Sequence, residues 1–433
     1  MSTIDTAQLK KLVAENYDFL VQTRRHFHQH PELSSQEYET AKHIIKHLEA
    51  WGIPYETAGV SDIVATITGE NPGKTIALRG DIDALPILEA TGLPFASEAS
   101  GIMHACGHDF HGTYMLGVAK ILKDLKATIH GTVKIIFQEG EEIGAGAKKL
   151  MATPILNGVD NIIGLHVSAG EDLGKFTFNY GVMSSHGGGV FIDITSKGGS
   201  LSEPEAGSNA VLAGVDIISE LTSLTTQQIS GRNQVTLVPT IFKAEKAGEG
   251  GIPSKAHIEI NFRTLDLADS KRLDDIADAV VNGIKMTHNV DIQIVHRKPG
   301  TAVNNDKASC DRAARIITDL YGKDAVIWTK PSMGGEDFSR YQEKIPGVFV
   351  HVGAISDGNY RAHHTDKTDF VRFGFSSNGI VLRAGKSTEI VCNGDRNTFC
   401  CSYGAMSFDA LENDTTLEIN TDCWYIGEEK HYY

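Results

Sequence analysis

The chain has 433 residues, 41% hydrophobic and 22% charged, enough apolar material to bury a large core in more than one domain. Its formal net charge of -15 favours solubility and argues against nucleic acid or an anionic membrane as a partner. No apolar run approaches the roughly 20 residues that a membrane helix needs, residues 1–11 lack the apolar core of a signal peptide, and six scattered cysteines are too few for a disulfide framework; a cytoplasmic location is expected by default.

The opening reads as a helix, with Leu9, Leu12, Val13, Tyr17, Leu20, Val21 and Arg24 at helical spacing and Pro31 ending it. Ser34 followed by Glu37 has the spacing of a capping box. It predicts a second helix with Tyr38, Ala41, Ile44, Ile45, Leu48 and Trp51 on one face. Strands are expected at 62–68 and 75–79, then a helix at 111–125 with Met115, Leu116, Ala119 and Leu122 inward. A strand at 132–138, a short helix at 145–151 and a strand at 161–167 follow. Such alternation predicts an α/β fold. The character shifts near Met183, where a Ser/Gly stretch at 184–189 leads to a strand at 190–196 and a helix at 209–224. Strands at 234–242 and 256–264, a helix at 269–287 and a strand at 290–295 complete an order that suggests a ferredoxin-like α+β insert. The α/β pattern resumes with a helix at 307–320 and a strand at 348–352. Two domains are therefore expected: an α/β domain with a mixed sheet from residues 1–183 and 298–370, and an inserted domain at 184–297.

Five short segments hold most of the potential metal ligands. Arg79-Gly-Asp81-Ile-Asp83 follows a strand, and Met103-His104-Ala-Cys106-Gly-His108-Asp109 precedes a helix. Gln138-Glu-Gly-Glu141-Glu142 follows a strand, Gly164-Leu-His166 lies in one, and His363-His364 lies far downstream. In an open α/β sheet, ligands gather at the carboxyl ends of strands, where these segments are expected to fall. Cysteine, histidine and carboxylate together form a mixed soft and hard ligand set that suits zinc or a neighbouring transition metal. Cys106 could instead act as a nucleophile beside a histidine, but a metal ion would consume its thiolate as a ligand.

These segments, in this order, resemble the M20 metallopeptidase family, in its amidohydrolase branch of hippurate hydrolases, auxin-conjugate hydrolases and N-acetyl-diaminopimelate deacetylases. The similarity begins at Arg24-Arg25-His26-Phe-His28-Gln-His30-Pro31-Glu32-Leu33. It runs through Met103-His-Ala-Cys-Gly-His-Asp109, then Gly198-Gly199 and Pro204-Glu205 of the insert, to Gly335-Glu336-Asp337-Phe338 and His363-His364. The resemblance implies two divalent metal ions, zinc first, with manganese, cobalt and nickel open. It implies Cys106, His108, Glu142, His166 and His364 as ligands, Asp83 as the carboxylate that orients a ligand, and Glu141 as general base. Glu141 would take a proton from a metal-activated water and hand it to the departing amine. The implied substrate is a small N-acyl amino acid, with an acetyl or aroyl group. A dipeptidase of the same family, or a metal-binding homologue without turnover, are the alternatives. The insert is implied to act as lid and dimer surface, in a homodimer or larger homo-oligomer.

The chain departs from the family pattern in two places. The family places a histidine after the insert's Gly-Gly pair, reaching across a dimer toward the substrate; here Ser200 follows Gly199. Losing one oxyanion donor can cost about 10²–10³ in rate, and Arg263 is a candidate substitute. The second departure is residues 371–433, which lack the family's closing helical period and carry four cysteines, Cys392, Cys400, Cys401 and Cys423.

Overall fold

The computed structural model describes residues 6–246, 251–355, 363–368, 380–384 and 388–392. These divide into two compact units. One is drawn from the chain up to Gly181, Val303–Lys330 and the residues from Glu336 onward; the other comprises Val182–Ala302 and Pro331–Gly335.

The first unit opens with α1 (Thr6–Gln29), α2 (Tyr38–Trp51), β1 (Tyr55–Ala58), β2 (Asp62–Thr68) and β3 (Asn71–Asp81). It continues through α3 (His108–Asp124), β4 (His130–Gln138), α4 (Gly146–Met151), β5 (Asn161–Asp172) and β6 (Phe176–Phe178). After the second unit it resumes with the helix Lys307–Tyr321 and the strands Val326–Trp328 and Gly347–Ile355. Its eight-stranded sheet runs β1, β2, β4, β3, β5, Gly347–Ile355, β6, Val326–Trp328. The centre is parallel, since β3 pairs β4 and β5 in parallel and Gly347–Ile355 pairs β5 likewise. β1 and β2 are antiparallel additions on one side, and β6 is antiparallel to Gly347–Ile355. A mixed α/β sheet is thus the observed fold class.

The central strands are apolar almost throughout, with Ile76, Leu78, Val133, Ile135, Phe137, Ile162 and Val350 all buried, as a sheet covered on both faces requires. α3 packs against β2, β3, β4 and β5, with α1 packed against it in turn. α3 is buried nearly all round, which a helix lying between sheet and helix must be. Gly80 permits that close approach: a Cβ there would lie 2.9 Å from Met115 Cγ and 3.0 Å from the His111 carbonyl oxygen.

The capping box expected at Ser34 and Glu37 does not form. Glu37 is the N-cap of α2 but makes no side-chain cap bond. Its carboxylate is buried and accepts from Ser35 N, Gly140 N and Ser61 Oγ, while Ser34 Oγ donates 2.7 Å to Asp83. Tertiary partners outcompete the local reciprocal bond. On α2, Ala41, Ile44 and Leu48 are buried as expected, whereas Tyr38 is 53% exposed.

The second unit has the predicted strand–helix–strand–strand–helix–strand order: His186–Thr195, Ala210–Gln228, Val235–Lys246, Gly251–Thr264, Leu267–His288 and Asp291–Arg297. Its main sheet order puts Gly251–Thr264 and Asp291–Arg297 on either side of His186–Thr195, with Val235–Lys246 at an edge, all antiparallel. That is the ferredoxin-like arrangement. Ile192, Ile194, Ile258, Ile260 and Phe262 pack with Ile217 and Leu221 of one helix and Ile276, Val280 and Ile284 of the other. Each such side chain contributes roughly 1.5–3 kcal/mol on full burial.

The departure expected over residues 371–433 falls outside the described residues, apart from the antiparallel pair Ile380–Ala384 and Thr388–Cys392. Among the described residues, no helix is long and apolar enough to cross a membrane.

Candidate metal centre

Four neighbouring strand and helix ends in the first unit deliver the chemically loaded side chains. β3 ends in Arg79, Gly80 and Asp81, and its continuation carries Asp83. β4 ends at Gln138, ahead of Glu141 and Glu142, and β5 carries His166. α3 begins at His108, and Gly107 before it has φ of 94°. In that left-handed conformation a residue with a Cβ is strained, so the glycine lets the chain turn sharply between Cys106 and His108. The distant segment with His363 and His364 is tied in by His364 N donating 3.0 Å to the Ala105 carbonyl. His364 itself has φ of 62°, a left-handed conformation that costs a non-glycine residue free energy and recurs at functional sites.

The six residues expected to form the core of the site come together. Cys106 Sγ lies 3.4 Å from His166 Nε2 and 3.3 Å from His364 Nε2. His108 Nε2 is 3.9 Å from Glu142 Oε1, and His364 Nε2 is 3.6 Å from Glu142 Oε2. Cys106, His108 and His166 form one group of potential ligand atoms, all within 4.8 Å of one another. Cys106, Glu142 and His364 form another, and Glu141 joins His108 and Glu142 in a third. Cys106, His108 and Glu142 each belong to two of the three, so the groups interlock into one cluster, and Cys106 links the group with His166 to the group with His364.

The imidazoles are oriented from behind. Asp83 Oδ1 lies 3.1 Å from His108 Nδ1, and the Asp83 carbonyl lies 3.0 Å from it. Nδ1 therefore carries a proton, and Nε2 is the nitrogen turned to the cluster, free to act as a ligand once it too is deprotonated. Asp83 Oδ2 accepts from Ser34 Oγ at 2.7 Å and from Glu142 N at 2.9 Å, so one carboxylate positions both His108 and Glu142. His166 Nδ1 lies 2.6 Å from the Val167 carbonyl, which likewise aims Nε2 at Cys106. His111 accepts from Val167 N at 3.0 Å through Nε2 and bonds Asp81 through Nδ1. Both its nitrogens are thereby engaged.

Burial and mutual interaction perturb the protonation of the cluster. Burial, with Glu142 next, pushes the Cys106 thiol well above its ordinary range. Its thiolate needs a positive neighbour, which disfavours a free cysteine nucleophile. Burial opposes charge on His108, but Asp81, Cys106 and Asp83 outweigh it and raise this imidazole well above its usual range. Burial, with His111 next, holds His166 well below it, neutral and able to coordinate. His108 Nε2 and Glu142 Oε1 are buried and, among the described residues, have no hydrogen-bond partner. A buried polar atom left in that state costs about 1–3 kcal/mol. The donor set and the bare atoms together fit divalent metal ions.

Glu141 stands beside a second acidic group. It lies with Glu336 and Asp337 in a cluster within 4.8 Å, and its Oε1 is 3.3 Å from Asp337 N. Burial, then Glu336 and Asp337, raise its carboxyl well above the ordinary range. Arg79, fully buried, answers these charges: its Nη2 is 2.8 Å from Asp337 and 3.1 Å from Glu336, and its Nη1 pairs Asp81. Asp81 and Glu336-Asp337 stand in sequence motifs that carry no assigned role; the signals for them are Arg79 and Asp81 at the end of a buried strand and the acidic pair Glu336-Asp337.

Ser200 and Arg263 are not brought together. Both lie in the second unit. Ser200 is exposed and pairs Gly251, at one end of the strand Gly251–Thr264, whereas Arg263 is near its other end, opposite Gly187. At about 3.3 Å per residue, that strand separates the two by roughly 40 Å.

A two-unit α/β protein with such a cluster at the carboxyl ends of its strands has the make-up of a metal-dependent hydrolase. The profile of Peptidase family M20/M25/M40 matches residues 77–372, and the chain belongs to that family. It is similar to the N-acetylcysteine deacetylase of Bacillus subtilis, at 37% identity over 350 residues, covering 80% of this chain and 90% of the relative. The IAA-amino acid hydrolase ILR1-like 2 of Arabidopsis thaliana is 34% identical over 377 residues, covering 83% of this chain and 84% of the relative. Among solved structures, a dinuclear metal binding peptidase of the M20 family from Bacillus subtilis superposes with a TM-score of 0.70 at 33% identity, covering 81% of this chain and 91% of that one.

Proposed function

We propose that this enzyme hydrolyses the amide bond of N-acyl amino acids, with two divalent metal ions held by Cys106, His108, Glu142, His166 and His364 and with Glu141 as general base. The observation that carries this reading is the pair of ligand groups sharing Cys106, with Glu141 alongside. When bound, such ions polarise an amide carbonyl and lower the pKa of a bound water from 15.7 to about 7. Glu141 takes the water's proton on its carboxylate and returns it to the departing amine, which could not leave as an anion. The acid cluster at Glu336 and Asp337 raises the basicity of Glu141, while a cation nearby keeps it ionised. Asp83 holds His108 and the backbone of Glu142 in place throughout.

Zinc suits the cysteine and histidine ligands best, with manganese, cobalt and nickel as competitors. A reducing cytoplasm would keep Cys106 available as a ligand. A homodimer or larger homo-oligomer, with the second unit supplying the dimer surface, is part of this proposal on the family resemblance alone.

The test is amine release from a panel of acetyl and aroyl amino acids, comparing wild type with Glu141→Gln in supplied zinc or manganese. Release by wild type alone, with metal bound to both, supports the proposal and identifies the acyl group. Metal binding without release by either makes the chain a binding homologue that has lost turnover.

A further inference from the structure

Away from the metal centre, α1 and α2 face each other through four histidines. His26 and His30 are one turn apart at the end of α1, where His30 N donates to the His26 carbonyl, and His43 and His47 are one turn apart in α2. Side chains four residues apart on a helix share a face. The rings form a continuous ladder: His30 to His26 at 4.7 Å between centroids, His26 to His43 at 4.4 Å and nearly parallel, His43 to His47 at 4.7 Å. His43 Nε2 and His47 Nε2 face each other at 3.2 Å. Phe27 packs edge-on against His43 and Phe19 edge-on against His47, walling one side of the ladder.

Nitrogens each about 2.0–2.1 Å from a tetrahedral zinc ion stand roughly 3.4 Å apart, close to the observed spacing. A histidine pair at this helical interval is a natural chelate. The rings are also in the right protonation state. Burial, then His26, His47 and Lys46, bring His43 down to about 4, and burial likewise lowers His26 and His47. Neutral imidazoles offer lone pairs at neutral pH, as metal binding requires. Lys46 opposes an ion here, and Glu98, 3.8 Å from His30, is an available counter-charge.

We propose that His43 and His47 form a peripheral two-nitrogen chelate on α2 for a late divalent transition-metal ion such as Zn²⁺, with water completing the ion's shell. The connection between these helices carries Ser34, which donates to Asp83. An ion bridging two turns of α2 would steady the helix that follows that connection without touching the metal centre.

The experiment is equilibrium dialysis of the full chain against Zn²⁺, comparing wild type, His47→Gln and the double variant His43→Gln/His47→Gln. The double variant is expected to bind one ion fewer per chain than wild type, and the single variant to bind that ion at least tenfold more weakly. A Zn²⁺-dependent rise in Tm beyond saturation of the other sites should vanish in both. Equal ion counts and affinities in all three proteins overturn the proposal and leave an N–H···N hydrogen bond between the two rings. Should the double variant not fold, His47→Gln alone decides: an unchanged ion count and affinity overturns the proposal. Because the readout is a difference in ion count, it is independent of whether the chain turns over any amide.

Discussion

Asp83→Asn isolates how much of the metal affinity resides in one supporting carboxylate. Asp83 is buried and acceptor-only, with Oδ1 facing His108 Nδ1 at 3.1 Å and Oδ2 facing Ser34 Oγ at 2.7 Å and Glu142 N at 2.9 Å. Asparagine keeps one acceptor and turns the other into a donor. If its amide faces His108, the ring either keeps its Nδ1 proton on the Asp83 carbonyl alone, 3.0 Å away, or moves that proton to Nε2 and caps the nitrogen meant for the metal. If it faces the other way, the backbone N–H of Glu142 meets a second donor and cannot adapt. Either arrangement forfeits one hydrogen bond to a charged group, about 1.5–3 kcal/mol. At 1.4 kcal/mol per decade this is roughly a 10–100-fold loss of metal affinity, the range found when the outer partner of a ligating histidine is removed. Chelator competition measures the affinity directly, and kcat should recover to within severalfold of wild type at saturating metal. An affinity within twofold of wild type would refute the reasoning. A kcat that saturating metal cannot restore would place Asp83 in the chemistry rather than behind the ligand.

Glu141→Gln should lower kcat by about 10²–10⁴ while leaving the metal content intact; comparable turnover with full metal would remove Glu141 from the base role. Arg79→Met strands Asp81, Glu336 and Asp337 around an uncharged side chain. It should cost about 3–5 kcal/mol in urea unfolding, and a cost below 1 kcal/mol would contradict the charge balance drawn here. Asp62 is fully buried, and burial raises its carboxyl to about 8. The folded state therefore holds this proton to higher pH than the unfolded state, so the contribution of Asp62 to stability falls as pH rises from about 4 to 8. Asp62→Asn should raise Tm at pH 8 and lose most of that gain near pH 4; a lower Tm at pH 8 counts against it.

The long, strongly periodic elements were legible because apolar spacing alone specifies them. α1, α3, β4 and the two helices of the second unit lie within a few residues of where the pattern puts them. β1 and β6, four and three residues long, escaped because so short a segment shows no period. The Ser34–Glu37 spacing misled for a different reason: both side chains have tertiary partners, Asp83 and Ser61, that a local rule does not see. Of the site, the segments containing Cys106, His108, Glu142 and His166 stood out as unusual clusters of ligand-type residues. The balancing of Arg79 against Asp337, 258 positions away, could not be read from spacing, because it depends on which strand ends the fold makes neighbours. The left-handed backbone at His364 was equally silent, since histidine carries no sequence mark for that conformation.

The bond between His364 and Cys106 spans 258 positions of sequence, with the whole second unit intervening. During synthesis, the cluster therefore stays one donor short until the ribosome has passed the second unit and the strand Gly347–Ile355. A nascent chain holds only the thiol, two imidazoles and a carboxylate, and so would take up metal weakly or in the wrong geometry. On the proposed ligand set, tight metal uptake would require the chain to have reached His364. A prematurely terminated product ending before His363 is expected to remain metal-poor and more open to proteolysis than the finished enzyme.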